Sequence, residues 1–205
     1  TGGAGFIGSS LIRYLMAESD HDILNYDALK YSGSLTSLKT LESTKRYKFI
    51  KGDICDEKLI PKIFNEFKPN GVINLAAESH VDRSIDDPTS FIQSNVIGTY
   101  NLLKTSFKYW KTLEEESRKM FLFHHISTDE VYGDLDPSQS PCNESHPYNP
   151  SSPYSASKAS SDHLVKSWYR TYNLPIVITN SSNNYGPFQF PEKLIPHVIL
   201  NAIQG

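Results

Sequence analysis

The chain opens with "TGGAGFIG", Thr1–Gly8, and the spacing of Gly2, Gly5 and Gly8 decides how the rest is read. Glycines three apart allow a tight turn and a close backbone approach to a bound group. They lead here into a helix-like stretch whose first N–H groups have no partner inside the helix and so suit an anion such as a pyrophosphate. An ordinary turn can look the same, so the weight falls on the strands beyond it. "DILNYD" (22–27) reads as a strand and ends on Asp27, nineteen residues after Gly8. At that distance a carboxylate meets the ribose hydroxyls of a dinucleotide, and its charge turns away a 2′-phosphate, favouring NAD over NADP. "KGDICD" (51–56) closes the next strand and offers Asp53 and Ile54 to the edge and face of an adenine.

Outward from this loop, short runs rich in Ile, Val, Leu and Phe alternate with longer amphipathic stretches. Strands are expected at 22–27, 46–53, 71–77, 120–127 and 174–180, and most lack strict alternation, as strands buried on both faces do. Helices are expected at about 7–18, 57–67, 88–112 and 153–173, with a short one suggested by Leu35, Leu38 and Leu41. The pattern predicts an α/β fold, a doubly wound parallel sheet of the Rossmann type. In such a sheet the glycine loop comes after a first strand, so the sequence reads as a fragment lacking that strand and most of a C-terminal lobe. The polar stretch 134–152 is expected to be a long loop, of the kind that often has a function.

Composition narrows the classes of function. The 205 residues are 38% hydrophobic and 21% charged, with a formal net charge of -3, which provides no basic field for nucleic acid. Mean hydropathy is -0.43, and no apolar run approaches the roughly 18 residues that span a bilayer. Cys55 and Cys142 make neither a disulfide framework nor a zinc spacing, so no metal is expected and a reducing, cytoplasmic compartment is. His124 and His125 are neighbours on a strand and face opposite ways, which excludes a joint metal site.

Tyrosine and lysine four apart on one helix face can hold a phenolate beside an ammonium, a base for a substrate hydroxyl. Four such pairs occur. Tyr26/Lys30 straddles a strand end, Tyr47/Lys51 lies along a strand, and Tyr100/Lys104 sits inside a long helix as a solvated or interface pair. Tyr154/Lys158, in "SSPYSASKAS", opens a helix behind the long loop, with Ser152 as N-cap and Pro153 at the first helical position. Tyr154 is thereby expected in an exposed first turn. "STDEVYG" (127–133) brings Ser127 and Thr128 to the ligand edge of the sheet, and Thr128 completes a Thr–Tyr–Lys set. Asp129 and Glu130 stand side by side directly after it. Two acids in a poorly solvated site push their acidities apart, so that one can give a proton while the other takes one.

Taken in order, "TGGAGFIG", "LAAESHVDRSI", "HHISTDEVYGD", "SSPYSASKASSDHLV" and "NNYGPFQFPEKLIP" resemble the dTDP-glucose 4,6-dehydratase family, within the extended short-chain dehydrogenase/reductase superfamily. The likeness runs nearly end to end. It implies NAD as cofactor and a nucleotide-diphosphate sugar, dTDP-glucose, as substrate. It also implies oxidation at carbon 4, elimination of water across carbons 5 and 6, and hydride return to carbon 6. Tyr154, aided by Lys158 and Thr128, would take the 4-hydroxyl proton; Glu130 would be the base at carbon 5 and Asp129 the acid at the 6-hydroxyl. Related epimerases and decarboxylases generally lack the adjacent Asp-Glu.

The resemblance extends the set of cofactor residues from Gly2, Gly5, Gly8, Asp27, Asp53 and Ile54 to Phe6, Ile7, Lys30, Leu75, Ala76, Ala77, Glu78, Ser79, Ser94 and Asn184, besides Tyr154 and Lys158. It implies substrate contacts from Ser79, Thr128, Asn183 and the run Lys193, Leu194, Ile195, Pro196, His197 and Val198. Lys193 also makes sense by itself, since a diphosphate needs donors that the net charge does not supply. Residues 1–180 are then expected as the NAD-binding domain and 181–205 as the truncated start of the sugar-nucleotide part. A homodimer through helices about 88–112 and 153–173 is implied as well. Ser181 departs from the family, which usually has Cys there. UDP-glucose 4,6-dehydratases share the acid pair and are the near alternative. A non-catalytic NAD-binding scaffold is the distant one, and it should have lost at least one of Thr128, Asp129, Glu130, Tyr154 and Lys158.

Overall fold

A computed structural model describes residues 1–136, 138 and 140–205; Pro137 and Gln139, part of the expected long loop, lie outside the described residues. The chain forms two compact units, Thr1–Gly52 with Asn183–Gly205, and Asp53–Ser182.

In the first unit, α1 (Phe6–Glu18) follows the glycine loop, and β1 (Ile23–Asp27) pairs in parallel with β2 (Tyr47–Lys51). Between the strands lies a 3-10 helix, Leu35–Leu41, where Leu35, Leu38 and Leu41 suggested a short helix. Its Leu38 packs with Ile12 and Met16 of α1 to form the core. The spacing of Ile12 and Met16, four apart on one helix face, explains the contact. The unit ends in α8 (Leu194–Gln204), none of whose residues is buried.

The second unit holds a three-stranded parallel sheet in the order β3 (Gly71–Asn74), β4 (Leu122–Thr128), β5 (Ile176–Ser181). The helices α2 (Leu59–Phe67), α3 (Val81–Asp86), α4 (Pro88–Phe91), α5 (Thr99–Thr112), α6 (Glu115–Met120) and α7 (Pro153–Tyr172) belong to it. Every strand pair is parallel, as the alternating pattern predicts.

Two departures bear on the site. The helix expected at 88–112 is interrupted by a π-helical stretch, Ile92–Gly98, between α4 and α5. Extra residues in a helical ladder re-aim side chains, and here Asn95 reaches two other segments. In addition, β4 alternates in burial: Phe123, His125 and Ser127 are fully buried while Leu122 is exposed. Its most buried face therefore contains two polar side chains, both directed at α7.

Candidate functional site

Gly8 has no room for a side chain. A Cβ there would run into the carbonyl oxygen of Gly2 and the Cα of Gly3. Gly3, not singled out by the three-apart spacing, is closely packed too, but a Cβ there would meet the side-chain ends of Asn25 and Ile12 and not backbone. The turn places Gly2 at φ +70°, a conformation natural to glycine. No side chain caps α1 at Gly5 and no acid lies in its first turn, so the helix start suits an anionic group, consistent with a pyrophosphate. Asp27 ends β1, where a ribose is expected. Its carboxylate already accepts from the backbone N–H groups of Ala4 (2.9 Å) and Leu29 (2.8 Å), so it also fixes the loop. In the same unit Asn183 and Asn184 are exposed, and Lys193 caps α8, whose first residues, Leu194 to Val198, line its start.

In the second unit, Asp53 accepts from the Cys55 N–H at 2.9 Å. The Ile54 side chain is buried over Gly98 and its carbonyl accepts from Asn101 Nδ2 at 3.4 Å, so the side chain is packed inward and not held open for an adenine face. Leu75 to Ser79 come directly after β3. Asn95 fixes this segment, accepting from the Glu78 N–H at 2.8 Å and donating to the Glu78 carbonyl (3.0 Å) and Ser157 Oγ (2.8 Å). Asn95 was not foreseen, because its reach depends on the π-helical stretch. Ser94, its neighbour there, is buried.

The long loop returns to α7 at a full capping box. Ser152 Oγ accepts from the Ser155 N–H at 3.0 Å, and Ser155 Oγ accepts from the Ser152 N–H at 2.9 Å, with Pro153 in the first turn. This is the helix start that the sequence indicates. Tyr154, however, is only 8% exposed, against the expectation of an exposed first turn. Its N–H donates to Ser84 Oγ of α3 (3.1 Å), and its ring meets Phe91 edge-on at 6.2 Å. Neighbours some 60 to 70 positions earlier in the sequence bury it. Of the remaining Tyr/Lys pairs, Tyr26 and Tyr47 lie on strands, and Lys104 on α5 sits over the Tyr100 ring at 5.7 Å while pairing with Glu57 at 3.6 Å.

Thr128 ends β4 and caps a 3-10 turn, Asp129–Tyr132; its Oγ accepts from the Glu130 N–H (3.2 Å) and donates to Asp129 Oδ1 (3.3 Å). Burial and the nearby Glu130 charge push the Tyr154 hydroxyl up from its usual acidity, while a hydrogen bond with Thr128 works the other way. Lys158 is 4% exposed, and burial brings its ammonium down to about 8 against an opposing attraction from Asp162. Its Nζ donates to the Ile126 carbonyl at 2.7 Å. Asp129 and Glu130 are both exposed. The poorly solvated pair expected from sequence is not formed within this chain, because the short turn projects both acids off the strand end.

His124 and His125 do point apart: His124 Nε2 lies 3.1 Å from Thr179 Oγ1, and His125 is fully buried against α7. Burial and then the Lys158 charge lower His125 from 6.5 to about 4, so at neutral pH it is uncharged. Below pH 6.5 the unfolded chain takes up a proton that folded His125 refuses until about pH 4, so stability falls as pH drops through that window. The loss is on the order of 3 kcal/mol at most. Urea unfolding between pH 7 and pH 4.5 should show this slope, and His125→Gln should flatten it.

The parallel sheets, the glycine loop and the buried Tyr154 and Lys158 beside Thr128 define a Rossmann-type chain of the short-chain dehydrogenase/reductase class. Within that class the chain belongs to the GDP-mannose 4,6 dehydratase family, whose model matches residues 1–205. It is 55% identical over its whole length to a dTDP-glucose 4,6-dehydratase of Haemophilus influenzae and 54% identical to one of Neisseria meningitidis serogroup B, covering 61% and 58% of those proteins. A crystal structure of dTDP-glucose 4,6-dehydratase from Bacillus anthracis in complex with NAD superposes with a TM-score of 0.87 at 41% identity, over all of this chain and 60% of that one. The chain thus spans about three fifths of the length of the proteins it matches.

Proposed function

We propose that the chain contains the cofactor-binding and catalytic residues of a dTDP-glucose 4,6-dehydratase, a hydro-lyase using NAD. The observation that supports this most is the turn Asp129–Tyr132. It sets two adjacent carboxylates immediately beyond Thr128, and the Glu130 charge is felt by Tyr154. An alcohol oxidation alone needs only Thr128, Tyr154 and Lys158; two further acids at that point call for a further proton transfer.

The loop and helix start at Gly2, Gly5, Phe6, Ile7 and Gly8, with Asp27 and Lys30, would hold the adenosine half of NAD. Asp53, Ile54, Leu75 to Ser79, Ser94, Tyr154, Lys158 and Asn184 complete the set. NAD, when bound, supplies the hydride acceptor for carbon 4 and the donor for carbon 6. Tyr154 would take the proton of the 4-hydroxyl, with Thr128 turning its hydroxyl proton from Asp129 to the developing phenolate and Lys158 countering its charge. The ketone so formed acidifies carbon 5, where Glu130 removes the proton, and Asp129 protonates the departing 6-hydroxyl. Ser79, Asn183 and Lys193 to Val198 are assigned to the nucleotide sugar. Residues 1–180 would form the NAD-binding part and 181–205 the beginning of the sugar-nucleotide part.

The same reading includes a cytoplasmic homodimer. Ile92, Ile97, Tyr169 and Tyr172, on the helices assigned to the interface, are exposed, as a docking face would require. Cys55 and Cys142 are not joined in a disulfide. Among the described residues no helix is long and apolar enough to cross a membrane.

The test is to supply the protein, expressed from its complete gene, with dTDP-glucose and UDP-glucose separately in heavy water. The expected result with dTDP-glucose is loss of water and one solvent deuterium at carbon 5. Inversion at carbon 4 without loss of water would make the protein an epimerase and remove the role given to Asp129 and Glu130. Faster turnover of UDP-glucose would move the substrate assignment.

A further inference from the structure

Tyr154, Lys158 and Asp162 are spaced at intervals of four along α7, so they form one stripe on the helix face turned to β4. The first two have a part in the proposed oxidation; Asp162 has none. It is nevertheless a carboxylate with 0% exposure, and an isolated buried charge is strongly unfavourable unless it is paired and hydrogen-bonded. Something in the fold must require it.

Its contacts state its charge. Oδ2 accepts from Ser127 Oγ at 2.8 Å and from the Tyr148 hydroxyl at 3.0 Å, with Asn180 Nδ2 at 3.5 Å. Oδ1 faces His125 Nε2 at 3.3 Å. The three partners of Oδ2 are donors, whereas Oδ1 has the imidazole close by but no well-formed hydrogen bond. Burial resists ionisation of Asp162, but the imidazole contact, the nearby Lys158 charge and the Ser127 bond outweigh it and leave the acidity strengthened.

The imidazole is the connection to Lys158. Asn74 Nδ2 donates to His125 Nδ1 (3.2 Å), which puts the ring proton on Nε2. That Nε2 lies 3.3 Å from Asp162 Oδ1, 3.3 Å from Ser161 Oγ and 3.4 Å from Lys158 Nζ, so its proton can face the carboxylate or the hydroxyl but not the ammonium. In this part of the interior an ammonium and a carboxylate thus meet the same neutral ring.

We propose that Asp162, acting across His125, is a positioning residue that keeps Lys158 cationic beneath Tyr154 without closing into a direct pair with it. The proposal rests on the oxidation assigned above to Tyr154. Its physical logic lies in the order of the stripe. A direct Lys158–Asp162 pair would present Tyr154 with nearly cancelled charges. With the ring between them, the cation is one helical turn from Tyr154 and the anion two turns, roughly 12 Å along the axis. Asp162 by itself opposes ionisation of the Tyr154 hydroxyl, so its greater distance along the helix is what lets the nearer cation count there.

Other charged or titratable groups around Lys158 do not take this role. His125 is neutral; Asp129 and Glu130, on the 3-10 turn, are exposed; Tyr148, from the long loop, gives its proton to Asp162 and accepts from Lys166 Nζ at 3.0 Å. The adjoining strand β5 offers Asn180, and α3 offers Ser84.

The test uses the sign of the electrostatics. Removing the anion in Asp162→Asn makes Lys158 lose its proton at lower pH, so the alkaline fall in single-turnover NADH formation should move down by about one unit or more. Near pH 6 the variant should stay within a few-fold of the unmutated protein, and near pH 8.5 fall roughly tenfold further behind. Asp162→Glu, which keeps the charge, should restore the original limb. If Asp162→Asn does not fold, His125→Gln serves: with the ring gone the charges can close together, and the limb should move up. A rate loss equal at all pH values, or an unmoved limb in the variant that folds, would overturn the proposal, since a merely structural carboxylate gives that result. The Lys158 titration can also be followed without substrate, by 13C NMR of ε-13C-lysine-labelled protein. A protein that forms no NADH from any nucleotide hexose removes the dehydratase reading, while the NMR titration of Asp162→Asn still decides the role of Asp162.

Discussion

Tyr154→Phe is expected to slow the first reduction of NAD by dTDP-glucose about a thousandfold, within the range that loss of a positioned general base produces. The variant should fold normally. The Tyr154 ring packs on Phe91 and its backbone N–H bonds to Ser84, and neither contact needs the hydroxyl. What disappears is the group proposed to receive the 4-hydroxyl proton. Burial and the Glu130 charge oppose ionisation of this tyrosine, so the resting hydroxyl is a poor base. The proposed cycle works only if a bound cation and the Thr128 donor favour the phenolate. Lys158 supplies that cation from within the fold. Absorbance at 340 nm on mixing protein, NAD and substrate reads the step directly, and circular dichroism checks the fold. Full-speed NADH formation by Tyr154→Phe would show that another group, Glu130 or a water, takes the proton.

The parts of this site that could be read from sequence are those set by local spacing. The glycine loop, the strand ending on Asp27 and the helix start at Ser152-Pro153 each depend on a few neighbouring residues, and the structure forms all three. Whatever depends on distant neighbours was not legible. Tyr154 is buried by Phe91 and Ser84, brought up by α4 and α3, and neither helix stands apart in the sequence from the loop and long helix around it. Asn95 reaches Glu78 and Ser157 because of a π-helical stretch that no periodicity announces. Strand alternation is enough to turn His124 and His125 apart. The neutrality of His125 and its place beside Lys158 depend instead on the parallel register of β3 and β4, which sets Asn74 opposite it. Asp162 left a visible signal, the third member of a stripe Tyr154, Lys158, Asp162. That signal acquires meaning only when β4 supplies Ser127 and His125 to meet it. Asp129 and Glu130 show the converse: their adjacency was plain, but their exposure is a property of the turn's direction.

Asp129→Asn is expected to separate the two halves of the reaction. In the proposed reaction, oxidation at carbon 4 uses Tyr154, Lys158 and Thr128, none of which is altered. Asparagine can still accept the Thr128 hydroxyl that now bonds Asp129 Oδ1 at 3.3 Å, so the 3-10 turn should keep its shape. The 6-hydroxyl, however, has lost its acid, and expelling hydroxide instead of water is far slower. Turnover to the 4-keto-6-deoxy sugar should fall at least a hundredfold, a typical loss for a missing general acid. NADH should accumulate towards one equivalent per site, because hydride cannot return to carbon 6 before water has left. The wild-type protein should show only a small NADH signal at steady state. Glu130→Gln should also trap NADH, but without exchange of the carbon 5 hydrogen in heavy water, whereas Asp129→Asn should retain that exchange. This pair of outcomes assigns base and acid separately, which their adjacent positions and common exposure cannot do. If Asp129→Asn never reduces NAD, then Asp129 acts before or during oxidation, and the elimination needs another proton donor.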